Sequence, residues 1–184
     1  YPTEGVGRMK QSITLAVTNF LLQDEGLTDL LGSDEEMGPW IFPDYPNATV
    51  ENTSEVLIVV APASFGSMNP HNTEQFPSFF VDVWADPTRN PDGSIYAFDA
   101  DDKIFRIWEI ILQNLHLVHN AVVGNERVYS GPKGHTRIWG DAEQIENRTG
   151  IPVHTSTCEM QDLSDVTDSE GTRMGRLEFS ISTV

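Results

Sequence analysis

Few residues in this chain have the types and spacing to do chemistry, and the richest run is Thr88 to Asp99. A calcium loop of EF-hand type puts oxygen ligands at alternate early positions, glycine sixth, an apolar residue eighth and an acid twelfth. Asn90, Asp92, Gly93, Ile95 and Asp99 fall in that register. Thr88 replaces the leading Asp, Pro91 stiffens the loop, and Asp99 is shorter than the usual bidentate Glu. Asp92-Gly93 is also a common turn pair and Asp99 a good helix N-cap, so the expectation is a turn and a cap with no metal. His116 and His119, three apart, could present two imidazoles to one metal. With no third ligand indicated, they are expected to sit at a solvated helix end. Ala63-Ser64-Phe65-Gly66 lacks the flanking glycines that expose a nucleophilic serine on a strained turn. No glycine-rich phosphate loop of either common type occurs. The residues therefore point to no enzyme and no cofactor.

Charge narrows the partners. Against 28 Asp and Glu stand 11 Lys and Arg, a net charge of −17. Affinity for nucleic acid comes from Lys and Arg displacing counterions from phosphates, so this balance argues against gripping DNA, RNA or an anionic membrane. It is compatible with DNA passing by. The lone Cys158 has no internal disulfide partner, favours assembly in a reducing compartment, and is expected to be a small half-buried residue near a strand. Asn47, Asn52 and Asn147 each open an N-x-S/T triplet, expected to be accidental because neither a signal peptide nor paired cysteines accompany them.

The elements that must position these residues follow from periodicity. Ile13, Val17, Phe20 and Leu21 share one helix face, with Gly26 as the expected stop. The polar breaks in this segment and its lack of a cleavage site make it an amphipathic helix, not a targeting signal. Leu27 to Gly32 adds a short helical turn, and Trp40 to Pro43 a brief extended piece. Val56 to Ala61 and Phe76 to Ala85 are apolar runs expected to pair antiparallel. The clearest helix begins at Asp99 and carries Ile104, Ile107, Trp108, Ile111, Leu112 and Leu115 on one stripe. Strands are expected at Val122 to Tyr129, Arg137 to Ile145 and Ile151 to Glu159, with Gln161 to Gly171 an exposed loop or hairpin arm. Leu177, Phe179 and Ile181 alternate with polar residues, the period of a strand covering a core on one face. The fold class is α+β: an antiparallel sheet with two main helices packed on one face, plus long loops or a β-hairpin arm. One domain spans 1–184, and no segment is apolar enough to cross a bilayer.

The opening helix, Leu27-Thr28-Asp29-Leu30-Leu31-Gly32 and the Ile41-Phe42-Pro43 strand are similar to the opening of the tail terminator and neck proteins of long-tailed bacteriophages. Val56 to Ala61, then Phe79 to Ala85 and a helix, resemble that family's central hairpin and second helix; Leu177 to Ile181 resembles its closing strand. Residues 121–175 exceed what compact members need. The resemblance implies a virion protein, assembled in the host cytoplasm, whose hexameric ring caps the tail tube and ends its polymerisation. Its partners would be copies of itself, the major tail tube protein and a head-tail connector or stopper protein. DNA would cross an acidic lumen without specific binding. A connector or tail-completion role in the same neck region is the alternative; a calcium-binding module or a secreted glycosylated recognition module are alternatives of another class. Loop residues are the natural interface candidates: Phe65, Met68 and Phe76 as apolar anchors, Asp86 and Asp92 as polar rim.

Overall fold

A computed structural model describes residues 13–31, 33–34, 38–44, 56–64, 78–87, 91–94, 99–116, 118–123, 126–130, 138–153, 155–164 and 171–182. Helix α1 covers 13–21, and Ile13, Val17 and Leu21 are buried along it while Phe20 packs against the same core. Thr14 and Thr18 are buried too, and the Thr18 hydroxyl donates to the Thr14 carbonyl at 2.8 Å. That bond removes the penalty of an unpaired buried hydroxyl. The helix ends before Gly26. Asp24 caps the next helix, α2 (Glu25–Leu31), by accepting from the Leu27 N–H at 3.1 Å, so Gly26 lies inside the first turn of α2 and does not terminate α1. An N-cap carboxylate satisfies N–H groups that the helix itself leaves open.

Two short strands, β1 (Ser33–Asp34) and β2 (Gly38–Pro39), pair antiparallel. The main sheet follows with β3 (Ile41–Phe42), β4 (Val56–Ser64) and β5 (Ser78–Ala85). Helix α3 (Asp99–Leu115) buries Ile104, Ile107, Trp108, Ile111 and Leu115 of the stripe its spacing predicts, while Leu112 is half-buried against the same core. Asp99 is its first residue, so all three of Asp99, Asp101 and Asp102 stand in the first turn, where they complement the helix dipole. Each fully buried Ile or Leu contributes about 1.5–3 kcal/mol relative to exposure.

Beyond α3 the chain departs from several expectations. The expected single strand 122–129 is instead an antiparallel pair, β6 (Val118–Val123) with β7 (Glu126–Ser130). The expected strand 137–145 is only β8 (Ile138–Trp139), paired with β9 (Ile151–Pro152). Asp141 starts helix α4 (Ala142–Glu146) instead. Its carboxylate accepts from the Gln144 N–H at 2.8 Å while the Gln144 side chain accepts from the Asp141 N–H at 3.0 Å. This reciprocal capping box sets a helix in the second half of the segment expected as a strand. The expected strand 151–159 is divided between β9 and β10 (Thr155–Leu163), and residues 161–163, expected in an exposed loop or hairpin arm, form the end of β10 where it pairs antiparallel with β11 (Arg173–Ser182).

The five-stranded sheet runs β10-β11-β5-β4-β3, antiparallel except for the short parallel pairing of β3 with β4. The late segment belongs to the core: Trp139 and Val153 join the same hydrophobic cluster as α1, α3 and the sheet. Trp139 stacks on Phe20 with centroids 6.0 Å apart and meets Phe79 edge-on at 6.1 Å, and Phe79 stacks on Phe179 at 5.3 Å. At its C-terminal end α3 is bolted to β10. The Ser156 hydroxyl donates to the Leu115 carbonyl, and the His116 Nδ1 accepts the Cys158 N–H at 3.1 Å.

Candidate functional site on the second face of the sheet

Helices cover one side of the sheet, where Ile58, Val60, Phe79, Val81, Val83, Leu177, Phe179 and Ile181 are buried. Strand alternation sends the intervening residues to the other side, and the register aligns them in rows. Leu57 faces Trp84 and Trp84 faces Met174; Val59, Asp82 and Arg176 follow; then Ala61, Phe80 and Glu178. Phe42 extends the middle row through Val59, and Asp162 of β10 extends it past Arg176. Met160 extends the third row.

At the centre the Arg176 guanidinium holds the Asp82 carboxylate by two bonds, Nε to Oδ1 at 2.7 Å and Nη2 to Oδ2 at 2.8 Å. It also lies 4.1 Å from the centroid of the Phe80 ring. Asp82 has 0% exposure and its Arg partner 31%, so the pair is buried at the acid and reached by solvent at the base. A forked pair of this kind is among the stronger polar contacts and fixes orientation as well as energy. Phe80, Trp84, Leu57 and Met174 around it are half-buried. Large apolar side chains ringing one satisfied ion pair form a surface suited to packing against protein, and it offers no nucleophile or acid–base pair aimed at a substrate.

A second ion pair anchors the start of α3. Arg173 Nε and Asp101 Oδ1 stand 3.0 Å apart, at an angle too poor for a hydrogen bond, which leaves both atoms without one. The electrostatic contact is the better description, since two opposite charges at that distance attract whatever the angle.

The sequence candidates fall apart in space. Phe65, Met68 and Phe76 lie outside the described residues, as do Asn47 and Asn52. Asp86 accepts from the Thr172 hydroxyl, and its carbonyl accepts from Lys103 Nζ at 2.7 Å, tying the end of β5 to α3 and the start of β11. Asp92 sits in an exposed turn with Gly93 at φ 86° and accepts from the Ser94 hydroxyl at 2.6 Å and the Ser94 N–H at 2.9 Å. Those bonds, the hydroxyl first, hold its carboxyl below the usual carboxylate range. Asp99 pairs with Lys103 at 3.3 Å. Within the Thr88 to Asp99 run, the described acids are thus engaged in a turn and a helix contact. His116 lies just past the helix and His119 in β6, so the two do not share a helix face. Cys158 is half-buried in β10; burial, followed by the Glu159 and Glu178 charges, pushes its thiol up. Asn147 is the exposed C-cap of α4. Among the described residues there is no group of three or more His, Cys, Asp or Glu placed to hold a metal, and no helix long and apolar enough to cross a membrane.

Sequence reasoning missed the second-face rows. The only available signal was the odd residue of each alternating run: Asp82 among Phe, Val and Trp, and Arg176 opposite it once the register is known.

No family model matches this chain, and no curated protein does. Among solved structures, a chain of "Virion of native gene transfer agent (GTA) particle" aligns over 94% of this chain and 94% of its own length, with a TM-score of 0.46 and 16% identity.

Proposed function

We propose that this chain is a structural protein of a phage-type virion, and that it forms the ring which caps the tail tube, ends tube growth and joins the tail to the head connector. The observation that carries this reading is the placement of the elements that resemble terminator proteins. The α1–α2 opening, the Ile41–Phe42 strand, the β4–β5 pair, α3 and the closing β11 share one sheet and one core, with β11 inserted beside β5. The half-buried apolar rows on the second face support it, because a sheet face ringed by Phe80, Trp84 and Leu57 suits a protein partner. The acid excess supports it too: a carboxylate-lined passage repels phosphate and lets DNA cross without sticking.

A tube of repeating rings ends when a subunit binds the terminal ring on one side and presents a different surface on the other, since a heterologous contact otherwise propagates. The test is a phage deleted for this chain and imaged by negative-stain electron microscopy. Tails of abnormal length that fail to join heads are the expected result. Tails of normal length joined to heads would overturn the reading.

A further inference from the structure

Opposite flanks of the sheet carry patches of opposite character. On the β4 side, Leu30 of α2, Val56 of β4 and Lys103, Arg106 and Ile107 of α3 line a groove of about 200 Å³. Small-molecule sites run to roughly 300–1,000 Å³, so this groove is sized for one or two side chains. Leu30 is 43% exposed beside it and Arg106 is exposed on its rim. Arg106 makes no ion pair among the described residues, in a chain where acids outnumber bases 28 to 11. Its floor is apolar and its rim cationic.

At the far edge of the same sheet lies the end of β10. Its bulge between Cys158 and Met160 turns Met160 and Asp162 to the side away from the helices, beside Glu178, and both are exposed, Met160 at 41%. This is a flexible apolar side chain flanked by acids. Three strand spacings of about 4.8 Å separate the two flanks. They are offset along the strands: Met160 is level with Glu178, and Val56, through Ala85, is level with Arg173, five residues or roughly 17 Å away along β11.

We infer that the groove of one copy receives the β10 edge of the next, with Met160 on Leu30, Val56 and Ile107 and Asp162 facing Arg106. The occupant is a second copy because the charges complement, Arg106 against Asp162, and because the two patches lie on opposite flanks of one sheet, too far apart to meet within a copy. Such a contact is heterologous, and it closes into a ring when its rotation divides a full turn. Methionine suits the groove because its unbranched thioether adapts to irregular shapes. The inference rests on the ring reading and adds which surfaces meet.

The experiment is a charge swap in the full chain, read by sedimentation velocity and native mass spectrometry over a concentration series. Wild type should self-associate. Arg106→Glu and Asp162→Arg should each weaken association at least tenfold, and the double variant should recover to within about threefold of wild type, which a folding defect in either single variant cannot imitate. Circular dichroism melts check that the single variants fold. Single variants that associate like wild type would overturn this interface, as would a double variant no better than its parents or a monomeric wild type. The cap reading is decided separately by tail length in the deleted phage, so an associating wild type indifferent to the swap removes only this contact.

Discussion

Gly175 is the position at which the packing of α3 on the sheet can be tested most directly. It lies on the core side of β11, between Val83 of β5 and Leu163 of β10. A β carbon there would stand 2.5 Å from Ile104 Cγ2 and 2.6 Å from Trp108 Cζ2. Carbon atoms pack best at about 3.5–4.0 Å, so both contacts would overlap by roughly 1 Å. Ile104 and Trp108 are buried on the central stripe of α3, and neither side chain has room to swing away. Overpacking of this kind costs about 1–3 kcal/mol, while replacing a strand glycine recovers about 0.5–1 kcal/mol of chain entropy. Gly175→Ala should therefore lose about 0.5–2 kcal/mol, and Gly175→Val more. Urea denaturation at equilibrium measures it, with the slope unchanged and the midpoint lowered. Ile104→Leu removes the Cγ2 methyl, so combined with Gly175→Ala it should cost at least 0.5 kcal/mol less than the two single losses added. A Gly175→Ala protein as stable as wild type, or strict additivity in that cycle, would refute the argument that glycine sets the helix-to-sheet distance.

Two further outcomes follow from the second face and from β10. Arg176→Ala should cost about 3–5 kcal/mol in urea unfolding because it removes the forked counter-charge from a fully buried carboxylate, whereas Asp82→Ala, which leaves a part-exposed guanidinium, should cost about 1–3 kcal/mol; the reverse order would show that Asp82 does not depend on Arg176. Because burial and two nearby carboxylates push the Cys158 thiol up, it should react with a maleimide at pH 7 at least several-fold more slowly than free cysteine, and a rate equal to free cysteine would place the thiol in open solvent.

Much of the frame was legible because its signals are periodic and strong. The α3 stripe, the α1 face and the alternation of Leu177, Phe179 and Ile181 each record a single dominant force, burial of one face, and the structure buries those residues, with Phe20 and Leu112 half-buried at the margin of the core. Region 122–145 was misjudged for a physical reason. Ile138, Trp139 and Ile145 satisfy an apolar pattern, yet a capping box at Asp141 and Gln144 decides the local conformation with two hydrogen bonds. Gly26 misled in the same way, since Asp24 three residues before Leu27 was the stronger punctuation. Gly175 could not be singled out, because the need for a missing β carbon arises only once α3 lies across β11.

The second face was illegible for a related reason, and that reason bears on function. A strand buried on both sides and a strand with one side facing a partner both read as continuous apolar runs, so Ser78 to Ala85 alone cannot say which applies. What separates them is the row through Asp82. A strand sealed within a single core has little use for a carboxylate, since an ion pair taken out of water seldom adds net stability over apolar residues of the same shape. Here the acid is buried while its Arg partner keeps nearly a third of its side-chain surface in solvent, and the row runs on from Arg176 to the exposed Asp162 at the sheet edge. The gradient from buried Val59 to exposed Asp162 marks a face that changes from core to surface across four strands. The exposed end of that gradient is the edge assigned to the neighbouring copy, so one register places both the pinned ion pair and the docking methionine. A one-residue slip of β10 against β11 would turn Met160 and Asp162 to the helix side and abolish the contact. Arg176 opposes such a slip, because it stands directly across from Asp162 and opposite charges across an antiparallel pair favour their register, so Arg176→Ala in a background that stays folded should weaken self-association as well as stability.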